Sequence, residues 1–155
     1  MIYIAHRGLF NGPDDGIEND PEQIKFALSK GYDCEVDVWY KAEDEWFLGH
    51  DEPTYNVSYD FIAQGGLWLH AKNLAALYYL TGTPLNYFWH ESDSRTLTSH
   101  QYIWTYPGHK LSKHSIMVMP ETVDPELLST NDANCYGICS DYIEKIIDIR
   151  SGKVL

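Results

Sequence analysis

Short apolar runs recur along this chain, each closed by a charged or polar residue and separated from the next by a stretch with helical spacing. Ile2 to Ala5 is the first, a predicted central strand that releases His6 and Arg7 at its carboxyl end. Gly8 to Gly16, rich in Gly, Pro and Asp, reads as a loop of the size that builds sites. Asp20-Pro21-Glu22-Gln23 then predicts a helix start, with Asp20 as cap, Pro21 at the first position and Gln23 closing a capping box. Ile24, Ala27 and Leu28 form its apolar stripe and Gly31 ends it. The next run, Asp33-Cys34-Glu35-Val36-Asp37-Val38-Trp39, is strand-like, and period-two alternation sends Glu35 and Asp37 to one face.

Lys41 to Asp44 is a polar turn, and Trp46-Phe47-Leu48 a short extended excursion into Gly49-His50-Asp51. Ser58 is placed to cap a short helix through Ile62 that ends at Gly65-Gly66. Leu67-Trp68-Leu69 is a third strand, with His70 and Lys72 at its exit. Asn73 caps a helix whose apolar positions are Leu74, Leu77, Tyr78 and Leu80, terminated by Gly82. Three further strands are predicted at Tyr87-Phe88-Trp89, at Tyr102 to Tyr106 before Pro107-Gly108, and at Ile116 to Met119 before Pro120. They release His90 and Glu91, and then Glu121. Tyr136 to Cys139 is the last strand, followed by Asp141 as helix cap, Glu144 as its capping-box partner, and Ile143, Ile146 and Ile147 on the apolar side.

Alternating strands and helices imply a mainly parallel α/β sheet, because parallel neighbours need crossovers. Sites in such folds are built at the carboxyl ends of the strands, where the polar residues of this chain recur. No repeat, low-complexity segment or linker divides the 155 residues, so a single domain over 1–155 is expected.

Composition narrows the class of ligand. The formal charge of −12, from 23 acidic and 11 basic residues, speaks against a general affinity for nucleic acid or an anionic membrane. It leaves room for an anionic substrate in a locally basic pocket. Three scattered cysteines, Cys34, Cys135 and Cys139, do not make a disulfide framework or a four-cysteine zinc site. With an amino-terminal run that has no basic leader, and no stretch long enough to span a bilayer, the expectation is a cytoplasmic protein without stable membrane insertion.

Two adjacent carboxylates on one face either share a proton or hold a cation between them, so Glu35 and Asp37 suggest a divalent metal. A solvent-facing pair is the plain alternative. Trp39, Trp89 and Trp104 are candidates for an apolar wall against a substrate. His100, His109 and His114 lie in polar stretches and carry no assigned chemistry.

Taken in order, His6-Arg7-Gly8, Glu18-Asn19, Glu35-Val36-Asp37-Val38, His50-Asp51 and Gly137-Ile138-Cys139-Ser140-Asp141-Tyr142 resemble the glycerophosphodiester phosphodiesterase family, within the wider group of barrel-shaped phospholipase-C-like phosphodiesterases. The resemblance implies that His6 and His50 are the general acid and base and that Glu35 and Asp37 bind the metal. It makes Arg7 and Lys72 phosphate contacts and Glu18 an acidic pocket residue. Magnesium or calcium is the implied ion. This chain departs from the pattern at His70, which stands where the family has a third acidic ligand. A softer, neutral nitrogen there makes manganese or zinc plausible. The alternative is that His70 is pocket wall and Glu121 or Glu91 supplies the oxygen; His90 and Glu121 are expected to line the pocket.

A closed barrel of this kind takes about 250 residues. The expected fold is therefore a reduced TIM-like (β/α) barrel with a shortened second half, incompletely closed or completed by a second copy in a homo-oligomer. The implied activity is metal-dependent hydrolysis of a small glycerol- or sugar-linked phosphodiester through a cyclic phosphate. The competing readings are a lyase that stops at the cyclic product and a non-catalytic module that binds a phosphate ligand.

Overall fold

The computed structural model describes residues 1–123 and 135–153. Its strands are β1 (Ile2–His6), β2 (Asp33–Tyr40), β3 (Trp46–Leu48), β4 (Tyr55–Val57), β5 (Leu67–Ala71), β6 (Tyr87–Phe88), β7 (Arg95–Leu97), β8 (Ile103–Thr105), β9 (Ser115–Val118) and β10 (Gly137–Ser140). Among the described residues four helices accompany them: α1 (Pro21–Ser29), α2 (Tyr59–Ile62), α3 (Leu74–Leu80) and α4 (Ile143–Arg150), with a 3₁₀ turn at Pro120–Thr122. The fold is mixed α/β, with strands and helices alternating through its first half. Between β6 and β9 the described chain carries no helix.

Seven strands run parallel in the order β6-β5-β2-β1-β10-β9-β8, and β7 pairs antiparallel with β8. Val38 of β2 is opposite both Ala71 of β5 and Leu48 of β3. The β3–β4 hairpin therefore takes the edge of β2 that β1 leaves after Glu35.

One parity of these strands faces inward. Ile4, Trp68, Phe88, Trp104, Ile116, Val118 and Cys139 make one apolar cluster, drawn from six of the parallel strands. Trp104 meets Trp68 at 5.8 Å and Phe88 at 4.8 Å between ring centroids, although β8 lies at one end of the strand order and β5 and β6 at the other. The sheet is thus strongly curled. Its ends are tied by Ser99 N donating to the Tyr87 carbonyl (2.8 Å) and Thr96 Oγ1 donating to the Trp89 carbonyl (2.8 Å) rather than by a ladder.

The opposite parity packs outward against helices. Cys34, Val36, Val38, Leu67, Leu69 and Ile138 are buried in one cluster with Ile24 and Ala27 of α1, Ala76 and Leu80 of α3, and Ile143 and Ile146 of α4. Asp20, Ser58 and Asn73 cap α1, α2 and α3 as expected. Gln23 closes no capping box; its amide donates to the Gly8 carbonyl and ties α1 to the loop after β1. Nor is Asp141 the cap of α4, which starts after Tyr142. Leu74 and Tyr78 lie on the open side of α3, 75% and 70% exposed, because Ala76 and Leu80 are the residues that meet the sheet. Strands β4 and β7 have no counterpart in the sequence reading, since Tyr-Asn-Val and Arg-Thr-Leu are half-polar hairpin strands without an apolar run.

Candidate active site

Five of the seven core residues of the inner face are followed, two positions later, by a polar residue of the site. His6 follows Ile4, His70 follows Trp68, His90 follows Phe88, Tyr106 follows Trp104 and Asp141 follows Cys139. A pleated strand repeats its facing every second residue, so the apolar interior continues upward into a polar layer at the carboxyl ends. Glu35 and Asp37 belong to this layer and are 3% and 1% exposed. The solvent-facing alternative is therefore excluded for this pair. A cavity of about 360 Å³ opens above them, lined in part by His6, Arg7, His50, Lys72 and Tyr106.

Asp37 is the most heavily contacted group. Asn19, fully buried with φ +59°, donates from Nδ2 to Asp37 Oδ2 (3.0 Å) and accepts from the Asp37 backbone N–H (2.9 Å). Arg7 Nε lies 3.2 Å from Asp37 Oδ2, Lys72 Nζ 3.5 Å from Oδ1, and His70 Nδ1 3.1 Å from Oδ1. Burial pushes the Asp37 carboxyl up, but the hydrogen bond and charge of His70, with Arg7 and Lys72, outweigh it and hold the group well below the ordinary carboxylate range. Glu35 sits 3.7 Å from His70 Nδ1 and 4.0 Å from His6 Nε2, and accepts the Arg7 backbone N–H at 3.3 Å.

His70 is oriented by its far nitrogen. Nε2 lies 3.1 Å from the His90 carbonyl oxygen, which accepts only a proton, so Nδ1 faces the two carboxylates either as a bare lone pair or as an imidazolium N–H. Burial lowers its pKa, and the hydrogen bonds to Asp37 and Glu35 more than reverse this, raising it to about 9. The ring also stacks on Phe88 at 4.9 Å. A lone pair aimed at two anions requires a proton or a metal between them.

The residues fit an ion. One donor atom each from Glu35, Asp37 and His70 lie within 4.8 Å of one another, the span of ligands around a single first-row or alkaline-earth cation. With three protein donors, an ion held there would keep coordination positions for a substrate or water.

His6 is held from the side away from Glu35. Its Nδ1 is 2.9 Å from Asp141 Oδ1, and Asp141 is in turn positioned by Glu121, whose Oε1 accepts from Ser140 Oγ (2.7 Å) and from the Asp141 N–H (3.2 Å). Burial lowers the His6 pKa, but the Asp141 hydrogen bond and the Glu35 charge raise it above the ordinary histidine value overall. His50 shares the cavity from the loop after β3, more exposed, with Nδ1 2.7 Å from Asp51.

The remaining predicted residues divide. Glu18 pairs with Arg7 Nη1 at 2.7 Å and aims that guanidinium. His90 lines the cavity and stacks on Tyr106 at 4.0 Å, while Glu121 is turned to Ser140 and Asp141 and does not line it. Of the three tryptophans considered as a wall, Trp104 lines the cavity; Trp39 instead donates to the Gly49 carbonyl at 2.6 Å, and Trp89 packs against the outer core. Asp141, expected as a helix cap, instead holds His6, and Asn19, noted only beside Glu18 in the resemblance, holds Asp37. Asp141 stands two positions beyond the predicted strand Tyr136 to Cys139, and that near-exit position is the available signal. No protein-family model, curated protein or solved structure matches this chain.

Proposed function

We propose that this chain is a metal-dependent phosphodiesterase of the glycerophosphodiester type, acting on a small glycerol- or sugar-linked phosphodiester. The observation that carries the reading is the convergence, over one cavity, of a Glu35-Asp37-His70 donor set, the cations Arg7 and Lys72, and the histidines His6 and His50. The curled parallel sheet is read with it as a reduced (β/α) barrel. A bound divalent ion supplies Lewis-acid stabilisation of charge on the phosphoryl oxygens. Arg7 and Lys72 bind the anionic diester and orient it above the carboxylates. His50, on the more exposed side, takes the proton of the attacking hydroxyl. His6, whose hold on its proton is strengthened by Asp141, delivers one to the leaving oxygen, and the two exchange roles when water opens the cyclic product.

Phosphorus NMR of glycerophosphodiesters and a sugar-linked phosphodiester tests this, using chelated protein and then protein with magnesium, calcium, manganese or zinc restored. Metal-dependent turnover that disappears in Asp37→Asn is the expected result, and a lasting cyclic phosphate reassigns the chain as a lyase. A second reading rests on the contacts of Asp37. Its oxygens are already met by Asn19, Arg7, Lys72 and His70, so a metal-free site can bind a phosphate ligand without turning it over. Phosphate binding that persists under chelation, with no turnover of any diester, favours that reading.

A further inference from the structure

The charge of this chain is segregated. Residues 94–120 contain none of its 23 acidic residues and three of its 11 Lys and Arg, together with His100, His109 and His114. The stretch carries +3 in a chain of −12, leaving −15 on the remainder. It forms β7, β8, their connection to β9, and β9 itself, a stretch that contributes no α-helix among the described residues.

The cations are on the outside of this edge and are not neutralised. Arg95, Lys110, Lys113, His109 and His114 are all exposed, and among the described residues no ion pair involves Arg95, Lys110 or Lys113. Arg95 Nη2 donates to the Lys110 carbonyl at 2.9 Å, which lays the 107–114 connection against β7 and joins the charges into one strip. Register fixes its direction. Arg95 pairs with Thr105, and the Tyr106 N–H donates to the Ser94 carbonyl, next to the Tyr106 ring that lines the cavity. At the other end His114 accepts from the Ile103 N–H. The strip therefore starts at the cavity mouth and runs down the length of β8, about 7–10 Å at the rise of a strand.

We propose that this strip is a docking surface for a linear soluble polyanion with one phosphate per repeat, one unit of which enters the cavity. The second clause rests on the phosphodiesterase reading; the docking surface does not. A single small diester is fully served by Arg7 and Lys72 and has no use for unpaired cations outside the cavity. Outside the strip and the cavity the chain is strongly acidic and repels polyanions, so the acid-free strip sets where and in which direction such a chain lies. An anionic bilayer is a poorer match, because a flat surface brings the −15 of the remainder close to the headgroups.

The probe is linear polyphosphate of about 15–20 units, whose anhydride links a phosphodiesterase does not need to cleave, so binding is read without turnover. Binding of the full chain is measured from 25 to 150 mM NaCl, beside vesicles containing anionic lipid. The variants are Arg95→Glu/Lys110→Glu/Lys113→Glu and an equally charged control, Lys25→Glu/Lys41→Glu/Lys145→Glu, with circular dichroism melting to confirm that both fold. Expected are saturable binding with a log–log salt slope of about −2, the value for three phosphate contacts, at least a tenfold loss in the strip variant, and less than threefold in the control. Equal losses in both variants, no binding at 25 mM salt, or binding to vesicles but not to polyphosphate overturns the proposal. Absence of diester turnover in the NMR assay, with polyphosphate binding intact, overturns only the catalytic reading.

Discussion

His70 Nδ1 lies 3.1 Å from Asp37 Oδ1, while its Nε2 is committed to the His90 carbonyl. The imidazole thus occupies the third donor position with a single nitrogen available, and that nitrogen carries either a proton or a metal. The pair is one interaction seen from two sides, which is why His70 is raised as Asp37 is lowered.

In chelated protein, stability depends on that proton. The folded pKa of His70, about 9, lies above its ordinary 6.5, so the contribution is fully present below pH 6.5 and is lost as the pH rises through 9. The loss is on the order of 3 kcal/mol at most. Melting temperature in the presence of chelator is expected to fall between pH 6.5 and 9, and His70→Gln should flatten that slope. Added manganese should raise the melting temperature more at pH 8.5 than at pH 6, because ion and proton compete for Nδ1. A melting curve independent of pH in this window would contradict the assignment.

Asn19 acts on the site through Asp37. Asn19→Gly keeps the positive φ available and removes only the side chain, so it isolates the two hydrogen bonds to Asp37. Urea unfolding should show a loss of about 2 kcal/mol, and metal titration a 10- to 100-fold weaker site. Unchanged metal affinity would show that Asp37 is held well enough by its cationic neighbours.

Asp141→Asn should lower kcat by about 100-fold or more with little change in KM, since a carboxamide no longer favours the Nδ1–H form of His6. Removing the carboxylate also lowers the His6 pKa. The limb of the kcat–pH profile that reports His6 should therefore move to lower pH, which a purely structural role for Asp141 would not produce.

Gly49 has φ +146°, and a Cβ there would meet the Glu52 carbonyl oxygen at 2.1 Å. Its own carbonyl accepts the Trp39 indole N–H, and the next residue is His50. Gly49→Ala is expected to cost more than about 2 kcal/mol of stability and to displace His50. Differential scanning calorimetry and turnover of the folded fraction separate the two effects, and a wild-type rate per folded molecule would place His50 outside the chemistry.

The strand exits were legible because a parallel α/β chain writes them as apolar runs ended by polar residues, and Ile4 to His6 or Leu69 to Lys72 read that way directly. The period of two placed Glu35 and Asp37 together. Asp141 was misread because Asp before a helical stripe is also the signature of a cap, and local pattern does not distinguish a carboxylate that caps from one that reaches across to β1. The strands Tyr55–Val57 and Arg95–Leu97 were missed because their stability comes from hairpin partners rather than from their own side chains.

The sequence by itself determined the apolar strands, the strand–helix alternation of the first half and the parity that carries the carboxylates, since all of these follow from spacing within a few residues. Only the tertiary structure decided that His70 points Nδ1 at Asp37, that Asp141 holds His6 across 135 positions, and that Trp68 and Trp104 meet as the sheet curls. Those relations depend on strand order and curvature, which arise from packing between distant segments and leave no periodic trace along the chain.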